Sequence, residues 1–406
     1  MANVAEKARF HLERAVPQLR EFEEKEIFSK EEIRTIVQKR TEYEHLVLGP
    51  GCKPHHFQSY ITWELSLEKL RSKRCIRKKI KHSTSHASNA RVFNIYERAV
   101  FRHPGSVALW KDYLDYAAKV KATKRWRKIM TKALRMHPLD VELWTRAGRR
   151  AATDGDMEGA RGMFMRGCRF CNTTVDLWVE YAKVEMEWLA RMEKKKGGKR
   201  GLAGARAEEA VDEGDVLRFD DDEEEDEFGD DDEILPDPLA DEQNKKANEA
   251  KKVFTEEALK KLEKSPALEG AIPKAVFDVA RKQPFFGAPA CEAFFDVFAS
   301  YTDVSAQPTL VQHVLDAMVE AYPKHPATCG SVIRQPLVGV DATTVKFPRA
   351  LREVLARIKT QMEITQDKAQ LAAKTVAWIR PILKRKDLDE NVRTVLEFTK
   401  TKLENP

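Results

Sequence analysis

Three tryptophans, Trp110, Trp144 and Trp178, stand 34 residues apart, and their neighbours recur in the same step. Leu109, Leu143 and Leu177 precede them, Ala99, Ala133 and Gly167 mark a second phase, and Pro104 and Pro138 close two of the units. A fixed period of this length with several phased positions predicts stacked helix-turn-helix repeats. No single helix pair of that size can bury its apolar face alone, so the pairs must stack into one elongated core. The expectation is an all-α chain that exposes long surfaces and carries little chemistry of its own.

The first unit sets Phe57, Tyr60, Ile61, Glu64 and Leu65 on one helix and Val92, Ile95, Tyr96 and Ala99 on its partner. The second has Trp110, Tyr113, Leu114 and Ala117, then Trp126, Ile129, Met130 and Ala133. The third has Trp144, Ala147 and Ala151, then Ala160, Met163, Phe164 and Gly167, and a fourth opens with Trp178, Tyr181 and Glu185. The small residue at 99, 133 and 167 allows close helix approach, and each proline ends a helix because it has no amide proton to donate. Ser106, Asp140 and Asp156 are placed to cap the next helices.

Before the repeats, residues 1–50 read as a cap of two helices. Phe10, Ala15, Leu19 and Phe22 lie on the first, with Pro17 as a kink. The second opens with a capping box at Ser29 and Glu32, continues through Ile33, Ile36, Val37, Arg40 and Tyr43, and stops at Gly49-Pro50-Gly51. The repeats occupy 51–192, with a basic insertion at 69–90. A basic-then-acidic insertion at 193–245 follows, and degenerate helical repeats fill 246–406. Structure is expected to resume near Lys246, with Val253, Phe254 and Ala258 on one helix. Phe294, Phe295 and Phe298 would pair with Val311, Leu315 and Met318. Segments near 347–362 and 366–401 suggest further helices, with Trp378 on an apolar face and Pro381 as a kink.

Charge is distributed unevenly. The chain's net charge is +6, yet residues 207–242 hold twenty acidic side chains and one arginine, so the remainder carries +6 + 19 = +25. Twelve of the fourteen residues from Asp220 to Glu233 are acidic, and such a stretch is expected to stay disordered. A second feature is the run Lys69, Arg71, Lys73, Arg74, Arg77, Lys78, Lys79 and Lys81. These eight cations are candidates for contact with RNA, an acidic partner or an import receptor. The competing reading is a solvated loop or helix face. Lys194 to Arg200 is a weaker import candidate.

No residue set points to catalysis, a cofactor or a metal. Cys168 and Cys171 form a lone pair without the second pair of a zinc site, and Cys52 with His55 and His56 reads as a surface loop. Asp154-Gly155-Asp156 lacks the other ligands of a calcium loop. The six cysteines have no framework spacing, and the apolar runs are shorter than the roughly 20 residues a bilayer requires. A soluble intracellular protein with reduced thiols, no membrane contact and no small-molecule substrate is the expectation.

The tryptophan with an aromatic three residues on, seen at Trp110/Tyr113 and Trp178/Tyr181, resembles the half-a-tetratricopeptide (HAT) family. Trp144-Thr-Arg-Ala-Gly148 is closer to the ordinary tetratricopeptide form. The resemblance implies a HAT/TPR-like solenoid with N-terminal capping helices, and a role in RNA processing. On that reading Phe57, Tyr60, Tyr96, Ala99, Trp110, Tyr113, Ala133, Trp144, Phe164, Gly167, Trp178 and Tyr181 form the repeat core. The segments Glu13–Leu19, Ile27–Glu44, Phe57–Arg71 and Arg91–Ala99 resemble the N-terminus of the U3 small nucleolar RNA-associated protein 6 family. That family implies a nucleolar, non-catalytic scaffold of the U3 snoRNP and small-subunit processome, acting in precursor ribosomal RNA processing and 18S maturation. It also implies partners among the WD40 β-propeller proteins of the U3-associated B subcomplex. Two other readings stand beside it: a HAT scaffold in splicing or messenger RNA 3′-end processing, and a tetratricopeptide cochaperone.

Overall fold

The computed structural model describes residues 2–80, 86–201, 270–341, 344, 346–385 and 388–404. Among these residues every regular element is helical, with no strand. The chain divides into two compact units, Met1–Cys171 and Asn172–Pro406. Expectations for the acidic run at 220–233, for resumption at Lys246 and for Val253, Phe254 and Ala258 fall outside the described residues.

The N-terminal unit contains α1 (Ala2–Glu13), α2 (Val16–Glu24), α3 (Lys30–Leu48), α4 (Pro54–Lys78) and α5 (His86–Arg102). It continues with α6 (Val107–Lys119), α7 (Thr123–Met136), α8 (Val141–Thr153) and α9 (Met157–Phe170). Three helices rather than two precede the repeats. The chain turns at Arg14 and Ala15, so Pro17 does not kink a helix. It stands in the first turn of α2, where its missing amide proton removes no bond. Phe10, expected on an apolar face, is half exposed, whereas Ala15 and Phe22 are buried. The capping box of α3 forms in full: the Glu32 amide donates to Ser29 Oγ and the Ser29 amide to Glu32 Oε2. Asp140 and Asp156 cap α8 and α9 through their carboxylates, but the Ser106 side chain makes no such bond at α6. The basic insertion is not a loop. Its first ten residues extend α4 to Lys78, and Lys79 ends the helix in the left-handed region.

Helices pair as α4/α5, α6/α7 and α8/α9. All twelve repeat positions named above are buried. Gly148 shows why a small residue is required between α8 and α9: a Cβ there would stand 2.4 Å from the Phe164 ring.

The period also has a polar basis. The Trp110 indole donates to the Pro104 carbonyl at 3.0 Å, and His137 of the next repeat reaches the same oxygen at 2.7 Å. One repeat on, Trp144 donates to the Pro138 carbonyl at 2.8 Å and Cys171 Sγ approaches it at 3.7 Å. Each proline therefore ends one helix and offers a carbonyl that ties two successive repeats. A buried ring gains its apolar area and loses no hydrogen bond.

The C-terminal unit contains α10 (Asp176–Gly201), α11 (Ala271–Ala280), α12 (Ala288–Ser300), α13 (Gln307–Ala321) and α14 (Pro326–Arg334). A 3-10 turn at Gln335–Leu337 leads to α15 (Lys346–Ile364), α16 (Lys368–Leu383) and α17 (Glu390–Glu404). The pairs are α12/α13, α14/α15 and α16/α17. Phe277, Phe294, Phe295 and Phe298 are wholly buried, with Phe277 edge-on to Phe294 at 5.3 Å. Val311, Leu315 and Met318 are buried on α13, the partner of α12. Trp378 packs partly buried on the cluster of Phe347, Leu351, Ile379 and Leu396, and Pro381 falls in the last turn of α16. Helix α14 carries no periodic pattern, because it is buried on nearly every side.

Candidate functional site

The helix periodicity of α4 divides the basic run into two faces. Arg71, Arg74 and Lys78, spaced three and four apart, turn towards the protein. Arg71 is buried, with both Nε and Nη2 on the Glu68 carboxylate at 2.9 and 2.6 Å. Arg74 grips Glu32 with two bonds of 2.7 and 2.6 Å, donates to the Ile27 carbonyl and lies 4.7 Å from the Phe28 ring centre. Lys78 donates to the Glu26 carbonyl. The Arg74 guanidinium, with the Ser29 amide, holds the Glu32 carboxyl well below the carboxylate range, at about 2. Two of the eight candidates, Arg74 and Lys78, therefore fasten α4 to the N-terminal segment, and Arg71 is buried against Glu68 of its own helix. Lys69, Lys73, Arg77 and Lys79 remain exposed, without an ion pair among the described residues. Lys81 lies outside them.

Beneath this face, α2, α3, α4 and α5 share buried charges. Arg40 binds both oxygens of Glu64, with Nε at 2.8 Å and Nη2 at 3.0 Å, and Nη2 also reaches Gln18 at 3.1 Å. Four residues along α3, Glu44 accepts two bonds from Arg98, at 2.7 and 2.9 Å, and one from Tyr60 at 3.0 Å. Tyr43 stacks on Tyr60 with ring centres 5.0 Å apart. Burial would push the Glu44 carboxyl up, but the Arg98 bonds reverse the direction and hold it low. Burial, then the two carboxylates, raise the Tyr60 phenol, so it stays protonated and donates. A bidentate geometry of this kind is what makes a buried ion pair tolerable, since each charge is met by a directed partner.

The cluster is a structural joint. It seats the capping helices on the first repeat, and its groups point at one another. The sequence reading named Arg40, Tyr60 and Glu64 only as spaced helix positions. A signal was available: Arg40 and Glu64 both fall at core-facing positions, where a charge requires a partner. The cysteines have an equally plain account. Cys171 occupies the repeat position of His137, and burial pushes the Cys168 thiol up to about 12, with Cys171 adding to it. Among the described residues, no cluster of three or more His, Cys, Asp or Glu could hold a metal ion, and no helix is long and apolar enough to cross a membrane.

The joint residues Gln18, Arg40, Glu44, Tyr60, Glu64 and Arg98 all lie within residues 12–98. That segment matches the family model described as U3 small nucleolar RNA-associated protein 6. The fission yeast protein of that name (Schizosaccharomyces pombe) is 32% identical over 193 residues, 47% of this chain and 40% of its own length. This chain is similar to that family in its N-terminal part. The human homologue is 26% identical over 197 residues, 48% of this chain and 33% of its own. The Dictyostelium discoideum homologue is 25% identical over 166 residues, 40% and 27% of the two chains. The alignments thus span less than half the length of each of these relatives. What the family segment encodes here is a capped first repeat held by buried ion pairs.

Proposed function

We propose that this chain serves a U3 small nucleolar RNA-associated particle as a non-catalytic scaffold in ribosome biogenesis. The observation that carries the reading is the family segment at 12–98, whose polar residues form a buried joint in this chain. A stack of helix pairs offers long rigid surfaces on which other subunits dock. The partners in this reading are WD40 propeller proteins of the U3-associated B subcomplex, and the site of action is the nucleolus. The exposed side chains of the repeat helices are the docking surfaces in this reading, and the buried tryptophans hold the helices that carry them.

Purification of the tagged chain from native extract tests this. The expected result is co-purification of U3 RNA and propeller subunits, with loss of 18S ribosomal RNA on depletion. Recovery of spliceosomal or 3′-end processing components in place of U3 RNA would overturn it.

A further inference from the structure

We propose that the exposed side of α7, continued on α9, is a binding surface for the backbone of single-stranded RNA. It deepens the reading above and rests on it only in choosing RNA over DNA. Helix α7 carries six cations and no anion among its fourteen residues. Lys124, Arg127, Lys128, Lys132 and Arg135 recur at helical spacing on the side opposite the buried Ile129, Met130, Ala133 and Leu134, and all five are exposed. One repeat further, Arg161, Arg166 and Arg169 of α9 occupy the positions of Arg127, Lys132 and Arg135. The cations therefore follow the 34-residue period along the stack.

Lys124, Lys132 and Arg161 also interact within the protein, whereas the other cations of this surface make few internal contacts. Arg127 reaches Asp154 only at 3.9 Å, and Arg166 bonds within its own helix. Lys128, Arg135 and Arg169 make no ion pair among the described residues. This differs from the α4 run, where Arg74 and Lys78 bond to the N-terminal segment and Arg71 is buried. Two exposed rings flank the stripe. Phe101, at the end of α5, is 89% exposed, and Phe170, at the end of α9, stacks one face on Trp144 and remains half exposed. Phe101 and Arg102 precede Arg135 and Met136, and Arg169 and Phe170, at one repeat phase. A cationic track with open aromatic faces is the combination that holds single strands, since phosphates meet the charges and bases stack on rings. An acidic polypeptide would use the cations and leave the rings idle.

The test is fluorescence anisotropy of the full chain with a labelled single-stranded oligouridylate of about 12 nucleotides. Replacing Lys128, Arg135, Arg166 and Arg169 by alanine is expected to weaken binding on the order of 100-fold and flatten the log–log salt slope by about 3. Phe101→Ala is expected to weaken binding about tenfold with the slope unchanged. Replacing Lys69, Lys73, Arg77 and Lys79 by alanine should have a smaller effect than the α7–α9 set. Every position is exposed, and an unchanged circular dichroism spectrum checks the fold. Wild-type affinity and slope in the α7–α9 variant would overturn the proposal. So would displacement of RNA by polyglutamate together with wild-type binding by Phe101→Ala, which would mark an acidic-protein dock. Native complexes without U3 RNA, with oligonucleotide binding intact, would sink the particle assignment alone.

Discussion

The two units reach the same helix-pair architecture from different side chains. In the N-terminal unit, helices are joined by directed polar contacts: the Arg40–Glu64 and Arg98–Glu44 pairs, and the proline carbonyls that accept from Trp110 and Trp144. In the C-terminal unit the core is built on Phe277, Phe294, Phe295 and Phe298, Arg334 makes partly exposed ion pairs with Glu292 and Asp296, and proline stands at the helix starts Pro289, Pro308 and Pro326. A contact of similar spacing occurs there. Cys329 Sγ approaches the Pro323 carbonyl at 3.9 Å, six residues back, as Trp110 is to Pro104. Apolar packing tolerates exchange of similar volumes, whereas a buried charge must keep its partner.

The sharpest way to break this contrast is at the joint. Arg40→Ala leaves the Glu64 carboxylate buried and unpaired, and should cost about 3–5 kcal/mol. Denaturant unfolding with hydrogen exchange should locate the loss in residues 1–171. Replacing both partners with Met and Leu should restore most of the stability, and failure to do so would mean the pair contributes more than mutual neutralisation. A smaller effect is expected at Gly148. The alanine Cβ meets the Phe164 ring, so the variant should lose about 1–3 kcal/mol. Adding Phe164→Leu should recover part of it, and an unaltered melting temperature for the single variant would refute the close approach.

The smallest difference separates two tryptophans of one ladder. Trp110→Phe removes an indole that donates to Pro104, whereas the Trp178 indole is buried without a partner among the described residues. Asn172 stands where Pro138 stands one repeat earlier. Trp110→Phe should therefore cost about 1 kcal/mol more than Trp178→Phe. Equal losses in thermal melts would show that the carbonyl contact adds nothing to ring burial.

Much of the N-terminal unit was legible because its period is written in conspicuous residues. Trp110, Tyr113, Ala133 and Trp144 fix helix pairs, and Ser29 with Glu32 fixes a helix start. The basic run was legible only as composition. Its division into an inward Arg71, Arg74, Lys78 face and an outward Lys69, Lys73, Arg77 face required α4 to continue through it. Helix α14 was hidden for the opposite reason: a segment buried all round has no polar face, so Pro326 to Arg334 lacks the periodic contrast that marks a helix.

The sequence by itself determined the all-α class, the repeat length and the family resemblance of its first hundred residues. These depend on local spacing, which a single helix turn already expresses. Tertiary structure alone decided that Arg40 meets Glu64, that Glu44 meets Arg98, and that Lys128 and Arg135 of α7 are exposed while Arg71 is buried and Arg74 grips Glu32. Partners 24 and 54 residues apart in the chain are brought together only by packing, and a charge's role follows from what packing places beside it.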